Sequence, residues 1–312
     1  MKKFTKIALI ATLVLTILGG ACCIAGAVIG FNYTEFKSMV KQGAFQVRTP
    51  YWAWDEKEEE TYDTSNWKEA VTQRYDFSPE ECGTVENFTM DVSYGEVNIE
   101  ENENTQGISV EVEYRKANHR SEMIAALEGN TLKINETENH HDRNKDTLVI
   151  TVQIPKDKVF QTIDLKQDAG SIMVDVPLNA KNISLNVSAG ECDVYQILTA
   201  SEKLQANVEA GEIDLNKIKA GTMELKAGIG DITVEEANAD QVMIDTGIGS
   251  VDTVMEGKET DYSYKIDCGV GDVEVGSNQY STLGSTKNVR NDGKKKMDIS
   301  CGVGEVSVDF TK

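Results

Sequence analysis

The stretch that decides the fold is Lys-Ala-Gly-Ile-Gly-Asp-Ile-Thr-Val at 226–234. Gly228 and Gly230 form a Gly-x-Gly unit, which is followed by an acidic residue and then by aliphatic residues at alternate positions. Alternation with a period of two is typical of a β-strand with one buried face, and closely spaced glycines mark a turn. The stretch therefore predicts two short strands joined by a tight turn centred on Gly230.

The same template occurs eight times along the chain. It consists of an apolar residue, any residue, an apolar or small residue, two further residues, a glycine, and then Asp, Glu or Ser before alternating apolar positions. From the second copy to the seventh the spacings are 20, 21, 19, 19 and 22 residues, the last copy follows after 33, and the first stands 75 residues before the second. The central glycines are Gly95, Gly170, Gly190, Gly211, Gly230, Gly249, Gly271 and Gly304.

This regular repeat predicts an all-β fold, a right-handed parallel β-solenoid or β-helix-like stack with coils of about 20 residues. One coil cannot bury both of its apolar strands, so successive coils stack about 4.8 Å apart and pair their backbones. We expect the seven turn glycines from Gly170 to Gly304 to take positive φ, which glycine adopts at least cost. We also expect the coils to stack in chain order, with a loop insertion around 278–296. The isolated copy at Gly95 would then belong to a region that caps the stack.

The N-terminal segment has the composition of a membrane anchor. No charged residue occurs from Ile7 to Phe31, while Lys2, Lys3 and Lys6 precede this run. A membrane-spanning helix needs about 20 apolar residues, and flanking lysines favour the cytoplasmic side. The sequence therefore predicts a single-pass protein of the cell membrane, with a cytoplasmic N-terminus and an extracytoplasmic C-terminal domain. A cleaved signal peptide is the alternative.

The domain prediction follows from these two patterns. Residues 1–31 form the cytoplasmic tip and the transmembrane anchor, and 32–84 form a juxtamembrane stalk rich in acidic and aromatic residues. The β-solenoid domain occupies 85–312, with cap-like strands in 85–160 and the glycine-centred repeats in 161–312.

The charge of the chain narrows the classes of partner. The net charge is −21 at pH 7, which repels phosphate backbones and argues against nucleic-acid binding.

The sequence contains no phosphate-binding loop or dinucleotide fingerprint and no Cys/His pattern with zinc spacing. We therefore predict no catalytic residues, no cofactor and no enzymatic activity.

Most residues that directly follow a central glycine are acidic. In a stack they would form a ladder of carboxylates that includes Glu191, Glu212, Asp231, Asp272 and Glu305, although we predict no metal site. A divalent cation such as calcium would relieve the repulsion within this ladder, which is one hypothesis. The other is that the acids keep the turns solvated and oppose association between sheet edges.

Two cysteines occupy equivalent positions in the last two copies of the template. Cys268 and Cys301 each precede their central glycine by three residues, at a position predicted to face inward. Stacked coils would make them neighbours. The alternatives are a disulfide, whose geometry is not ideal between in-register strands, and two buried thiols that act as small apolar side chains.

The motifs resemble those of the bacterial "putative adhesin" family, a β-strand-repeat domain of unknown function. The resemblance is carried by residues 226–234, 268–275 and 301–308, and by the preceding strand Ile-Thr-Val-Gln-Ile-Pro-Lys at 150–156. It covers about residues 85–312. The resemblance implies a β-solenoid-like fold on a single-pass envelope protein, and it brings no catalytic residues with it.

The functional prediction is a non-enzymatic cell-envelope surface protein that presents a β-solenoid for adhesion or another envelope-associated interaction. Its partner would be an envelope or extracellular protein or glycan. One alternative is a solenoid enzyme that acts on polysaccharide, although the repeats carry few aromatic residues on which sugars could stack. The other alternative is a calcium-dependent binding module.

Overall fold

The computed structural model describes residues 71–103, 105–115, 123–136, 147–280 and 285–312. The predicted anchor and most of the predicted stalk lie outside these residues. Within the described part of the chain, no helix has the length and apolar character needed to cross a membrane.

The described residues form an all-β, solenoid-like fold. One short helix, α1 (Pro79–Thr84), is capped by Ser78 and Glu81, and Glu259–Asp261 form a single 3-10 turn. The strands are β1 (Val71–Phe77), β2 (Asn87–Glu101), β3 (Ile108–Arg115), β4 (Met123–Glu128), β5 (Thr131–Glu136), β6 (Thr147–Ile154), β7 (Val159–Asp175), β8 (Leu178–Ala227), β9 (Asp231–Thr246), β10 (Ser250–Met255), β11 (Tyr262–Cys268), β12 (Asp272–Val275), β13 (Asn278–Gln279), β14 (Ser285–Val289), β15 (Lys295–Cys301) and β16 (Glu305–Phe310).

Each coil places one strand segment before its central glycine and one after it, which we call the leading leg and the trailing leg. A short third segment joins the trailing leg to the next leading leg. Neighbouring coils pair in parallel along all three parts, as in Glu212↔Asp231 on the trailing leg, Ile218↔Ala237 on the third segment and Leu225↔Ile244 on the leading leg. Because β8 runs through several such segments without interruption, a single strand contributes to successive coils.

The copy at Gly95 is itself a coil of the stack, although other strands of its region lie at the end of the stack. Strand β2 pairs in parallel with β7, and Gly95 lies directly opposite Gly170. On its other side β2 pairs in parallel with β5 along the leading leg and with β6 along the trailing leg. The antiparallel strands β4, β3 and β1 lie beyond these and form this end of the stack.

The expectation that coils stack in chain order is wrong at the C-terminal end. Strand β16 pairs in parallel with β10 on one side and with β12 on the other, and β15 lies in the same way between β9 and β11. The coil of Gly304 is therefore inserted between those of Gly249 and Gly271. This position gives the coil of Gly304, the last in the chain, a hydrogen-bonding partner along both of its edges, as buried backbone groups require.

The core consists of columns of side chains that run along the stack. Leu165, Leu185, Leu225 and Ile244 occupy one column of the leading legs and are buried. The second and fourth residues of the trailing legs form two more columns. Each fully buried aliphatic side chain contributes about 1.5–3 kcal/mol, so the columns stabilise a fold that has almost no helix.

Candidate interaction surface

The central glycines stack in one row, and the contact between coils explains why they are glycine. A Cβ atom on Gly211 would lie 2.0 Å from the carbonyl oxygen of Gly190, and one on Gly249 would lie 1.7 Å from that of Gly230. Real Cβ atoms do not approach a backbone oxygen so closely. Close approach of one backbone to another therefore excludes every side chain along this row.

The expected positive φ is found at only part of this row. Gly95 and Gly170 have φ of 127° and 126°, and Gly190 has 158°. Gly211, Gly230, Gly249, Gly271 and Gly304 do not have positive φ. The prediction that positive φ explains all seven turn glycines was thus wrong, because the template does not show how closely the next coil approaches.

The row contains two kinds of corner. In the coils of Gly170, Gly190 and Gly211 an alanine precedes the glycine, and β7 or β8 continues through the corner. We call these Ala-Gly corners. In the coils of Gly230, Gly249, Gly304 and Gly271 the strand ends at a Gly-x-Gly turn, the central glycine is buried, and the middle residue is exposed. We call these Gly-x-Gly corners.

The middle residues of the Gly-x-Gly corners form an exposed row of aliphatic side chains. In stacking order they are Ile229, Ile248, Val303 and Val270, with exposed fractions of 69%, 63%, 51% and 38%. We call this row the apolar ridge. The backbone N–H of Ile248 donates to Gly228, that of Val303 to Gly247 and that of Val270 to Gly302, over 2.7–2.8 Å. These hydrogen bonds hold neighbouring ridge residues in register.

A buried hydroxyl or thiol closes three of these corners. Thr246 Oγ1 donates to the carbonyl of Gly249 over 3.0 Å, and the thiols of Cys301 and Cys268 donate to those of Gly304 and Gly271 over 3.2 and 3.1 Å. Each donor precedes its glycine by three residues. The carbonyls of Gly249 and Gly304 also accept from the backbone N–H groups of Glu305 and Asp272 in the next coil, over 3.1 and 3.2 Å, so the side chains add a second hydrogen bond there.

The two cysteines are neighbours, as their template positions predict. Cys268 lies opposite Cys301 on adjacent parallel strands, and both are buried and free. Burial, together with the proximity of Cys268, raises the pKa of the Cys301 thiol to about 11. Each thiol acts as a hydrogen-bond donor within its own corner.

The five predicted acidic residues do not form one continuous ladder. Glu191, Glu212 and Asp231 are successive neighbours, but Ser250 follows Asp231 in the stack and separates it from Glu305 and Asp272. The backbone N–H and the hydroxyl of Ser250 donate to Asp231 Oδ1 over 3.0 and 2.6 Å.

A second acidic column lies beside the first on the outer side of the trailing legs. Asp193 and Asp214 follow Glu191 and Glu212 by two residues, so their side chains point to the same side of the sheet. Burial and the neighbouring Asp214 and Glu191 raise the pKa of Asp193, and Asp214 is the main cause of a raised pKa at Glu212. We define the acidic face as Glu191, Asp193, Glu212, Asp214, Asp231 and Asp252.

The outer side of the leading legs has a different electrostatic character. The buried Glu224 carboxylate accepts from Lys203 and Lys226, each over 2.6 Å, and these contacts lower its pKa. Here carboxylates and ammonium groups alternate, whereas the acidic face carries one sign of charge.

The geometry does not add support for a metal site. Within the ranges that the structure describes, no three His, Cys, Asp or Glu side chains are arranged to hold a metal ion. The acidic face consists of carboxylates on the outer side of neighbouring strands, and such a set attracts positively charged groups over an extended area.

The apolar ridge was not predicted from the sequence. The signal was present, because the middle residue of every Gly-x-Gly unit is Ile or Val. The template nevertheless places that residue at a turn, where its exposure depends on whether the turn projects from the stack. The residues become neighbours only because Val303 lies between Ile248 and Val270 in the stack.

Comparison with known proteins identifies one family. The model of the Toastrack DUF4097 family matches residues 85–207 and 198–312. No curated protein has a matching sequence.

Several solved structures are similar to part of this chain. A "putative adhesin" from Parabacteroides distasonis ATCC 8503 is 15% identical, with 76% of this chain and 97% of that chain covered and a TM-score of 0.46. A "putative adhesin" from Bacteroides fragilis NCTC 9343 is 18% identical, with coverage of 77% and 97% and a TM-score of 0.41. A "putative lipid binding protein" from Parabacteroides distasonis ATCC 8503 is 13% identical, with coverage of 78% and 97% and a TM-score of 0.41.

Proposed function

Because the chain belongs to the Toastrack DUF4097 family, we propose that it is a non-enzymatic protein of the cell envelope that presents a β-solenoid for adhesion or another binding interaction. The partner would be an envelope or extracellular protein or glycan that carries positive charge. No specific observation in the described residues favours the polysaccharide-active enzyme or the calcium-dependent module.

The acidic face is the observation that carries this proposal. Its carboxylates lie on strands that are hydrogen-bonded on both sides, so the distances between them are set by the backbone. Partial burial, and after it repulsion from neighbouring carboxylates, raises the pKa values of Asp193 and Asp252. A cationic partner would relieve this repulsion on binding, and charge complementarity would raise its association rate.

The proposal includes a right-handed winding of the parallel stack. Parallel pairing between successive coils supports it, because connections between parallel strands of one sheet are right-handed in about 98% of cases. It also includes an N-terminal membrane anchor, supported by the uncharged run from Ile7 to Phe31 and the lysines before it. With that topology the acidic face would lie outside the cytoplasm.

The test measures binding of the envelope fraction of the source cells to the full-length protein immobilised in non-ionic detergent. A variant of the acidic face that combines Asp193→Asn, Glu212→Gln and Asp214→Asn should capture severalfold less envelope material. A matched control, Asp164→Asn, Asp245→Asn and Asp298→Asn, removes three exposed charges from the leading legs and should leave capture unchanged. Equal capture by the wild-type protein and the face variant would exclude the acidic face as the binding surface.

A further inference from the structure

The apolar ridge is an exposed surface with no role in the core. Ile229 and Ile248 are both more than half exposed, although β-branched aliphatic residues in a sheet protein are usually buried. Four such residues on consecutive coils form a contiguous stripe, and contiguous exposed apolar stripes mark interaction sites.

The ridge has a fixed shape. Its backbone is hydrogen-bonded from coil to coil, so the side chains follow the strand spacing of about 4.8 Å and the stripe is about 14 Å long. On its leading side lie Gly228, Gly247, Gly302 and Gly269, where a Cβ atom would meet the neighbouring backbone at 2.6–2.7 Å. With no side chains on that row, one flank of the ridge is open to a partner.

The other flank of the ridge is acidic. Asp231, Ser250, Glu305 and Asp272 follow the ridge residues by two positions and form the adjacent row, in the same stacking order. An occupant must therefore combine apolar side chains for the ridge with positive charges for this row. A helix of about ten residues spans 14 Å, and an amphipathic helix has an apolar stripe of this kind.

We propose that the apolar ridge docks an amphipathic segment of a partner protein that carries lysine or arginine beside its apolar stripe. This inference rests on the proposed binding function and names the chemistry of the partner. Two copies of the chain meeting ridge to ridge would bring the rows of Asp231, Glu305 and Asp272 together, and repulsion between them disfavours that arrangement. Anionic lipid headgroups would be repelled by the same row.

The test uses a fluorescent synthetic helix of leucines and lysines, with the leucines along one face, titrated against the full-length protein and followed by fluorescence anisotropy. The ridge variant combines Ile229→Ser, Ile248→Ser and Val303→Ser. Because these side chains are exposed, the variant should retain the wild-type melting temperature, and its dissociation constant should rise by at least about tenfold through lost apolar burial.

The chain supplies a matched control in its Ala-Gly corners. Ala169→Ser, Ala189→Ser and Ala210→Ser place the same three hydroxyls at the same corner position of other coils and should leave binding unchanged. A second variant, Ile229→Lys with Ile248→Lys, keeps long side chains but replaces two apolar groups of the ridge with positive charges. It should abolish binding of the leucine–lysine helix, because the lysines of the helix are then repelled. A helix of leucines and glutamates should bind at least about tenfold more weakly than the lysine helix.

Several outcomes would overturn the proposal. One is that the wild-type protein and the ridge variant bind the lysine helix with equal affinity. Another is that the wild-type protein binds the lysine and glutamate helices with equal affinity. The third is that the ridge substitutions abolish self-association of the protein or its binding to vesicles but leave peptide binding unchanged. Envelope capture by the ridge variant is measured in parallel. If capture responds to the acidic-face substitutions while the ridge variant binds the helix normally, the ridge inference fails and the proposed function stands. If the acidic-face substitutions leave envelope capture unchanged, the proposed function fails.

Discussion

The Ala-Gly coils and the Gly-x-Gly coils solve the same stacking problem in two ways. Both place a glycine where the next backbone approaches most closely, as at Gly211 and Gly249. At the Ala-Gly corners the strand passes straight through, and a small alanine faces outward. At the Gly-x-Gly corners the strand ends in a turn that projects Ile229 or Ile248 into solvent. The comparison shows that stacking constrains one position of the corner and leaves its neighbour available for interaction.

The two kinds of coil also differ inside the corner. Val187 and Val208 fill the position three residues before the glycine in two Ala-Gly coils, whereas Thr246, Cys301 and Cys268 fill it in three Gly-x-Gly coils. In the third Ala-Gly coil this position is Gln167, whose side-chain amide donates to the carbonyl of Gly95 in the neighbouring coil over 2.8 Å. In these three Gly-x-Gly coils the side chain donates to the carbonyl of the corner's own glycine, whereas the coil of Gly230 has Ala227 at this position and no such donor.

The largest expected effect tests the feature that both corners share. Gly249→Ala and Gly211→Ala each place a Cβ atom within 2.0 Å or less of a backbone oxygen, so the coils must separate. We expect each change to lower the free energy of unfolding by about 3 kcal/mol, measured by thermal or chemical denaturation.

Gly83 supplies the control for these substitutions. It lies in α1, and a Cβ atom there would have no neighbour within 4 Å. Gly83→Ala should leave stability unchanged or raise it by about 0.5–1 kcal/mol. A protein that tolerates alanine at Gly211 but not at Gly249 would show that the two corners need glycine for different reasons.

A smaller effect is expected from the donor inside the turn. Thr246→Val keeps the shape of the side chain but removes the hydroxyl that donates to the Gly249 carbonyl. The Gly249 carbonyl keeps the backbone N–H of Glu305 as a donor, over 3.1 Å, so loss of the hydroxyl's hydrogen bond should cost about 0.5–1.5 kcal/mol in the same measurement. The reciprocal change, Val208→Thr, buries a hydroxyl in an Ala-Gly coil and should also destabilise. A neutral Thr246→Val would mean that the turn does not depend on this hydrogen bond.

Removing charge from the acidic face should change the free energy of unfolding by about 0.5 kcal/mol, and the change should depend on pH. The pKa of Asp193 is raised, so the folded state binds its proton more readily than the unfolded chain, and stability rises as the pH falls through that pKa. Asp193→Asn combined with Asp214→Asn should therefore stabilise the protein at pH 7 by about this amount, since like charges opposite each other in a sheet repel.

This gain should shrink as the pH falls towards about 4, because the raised pKa of Asp193 lets its carboxyl group take up a proton in the folded wild-type protein. Melting temperatures across this range test the prediction. The control pair Asp245→Asn and Asp298→Asn removes the same charge from the leading legs, where lysines alternate with acids, and should not stabilise. A gain that is equally large at pH 4 and pH 7 would contradict the electrostatic explanation.

The buried thiols should react slowly with thiol reagents while the protein is folded. Burial raises the pKa of Cys192 to about 12 and, with Cys268 nearby, that of Cys301 to about 11. Reaction with a thiol reagent at pH 8 should therefore be slow in the folded protein and fast after unfolding, in both kinds of coil. A linked peptide that contains Cys268 and Cys301 in the unreduced protein would instead establish the disulfide alternative.

Part of the site could be predicted from the sequence because local patterns determine it. The register of Cys268 with Cys301 and the adjacency of Glu191, Glu212 and Asp231 follow from the template, since equivalent positions of stacked coils are neighbours. The neighbours of Val303 could not be predicted in this way. Identical templates pair equally well in any order, so the template contains no information about which coil lies next to which.

The sequence alone determined the strands, the position of the corners and the inward columns, because alternation and glycine spacing act within about 20 residues. Only the tertiary structure decided that the coil of Gly304 lies between those of Gly249 and Gly271, that Gly95 belongs to the stack, and that most turn glycines do not have positive φ. These features depend on contacts between backbones that are distant along the chain. Such contacts form when each unpaired edge finds a partner, and that requirement applies to the whole stack.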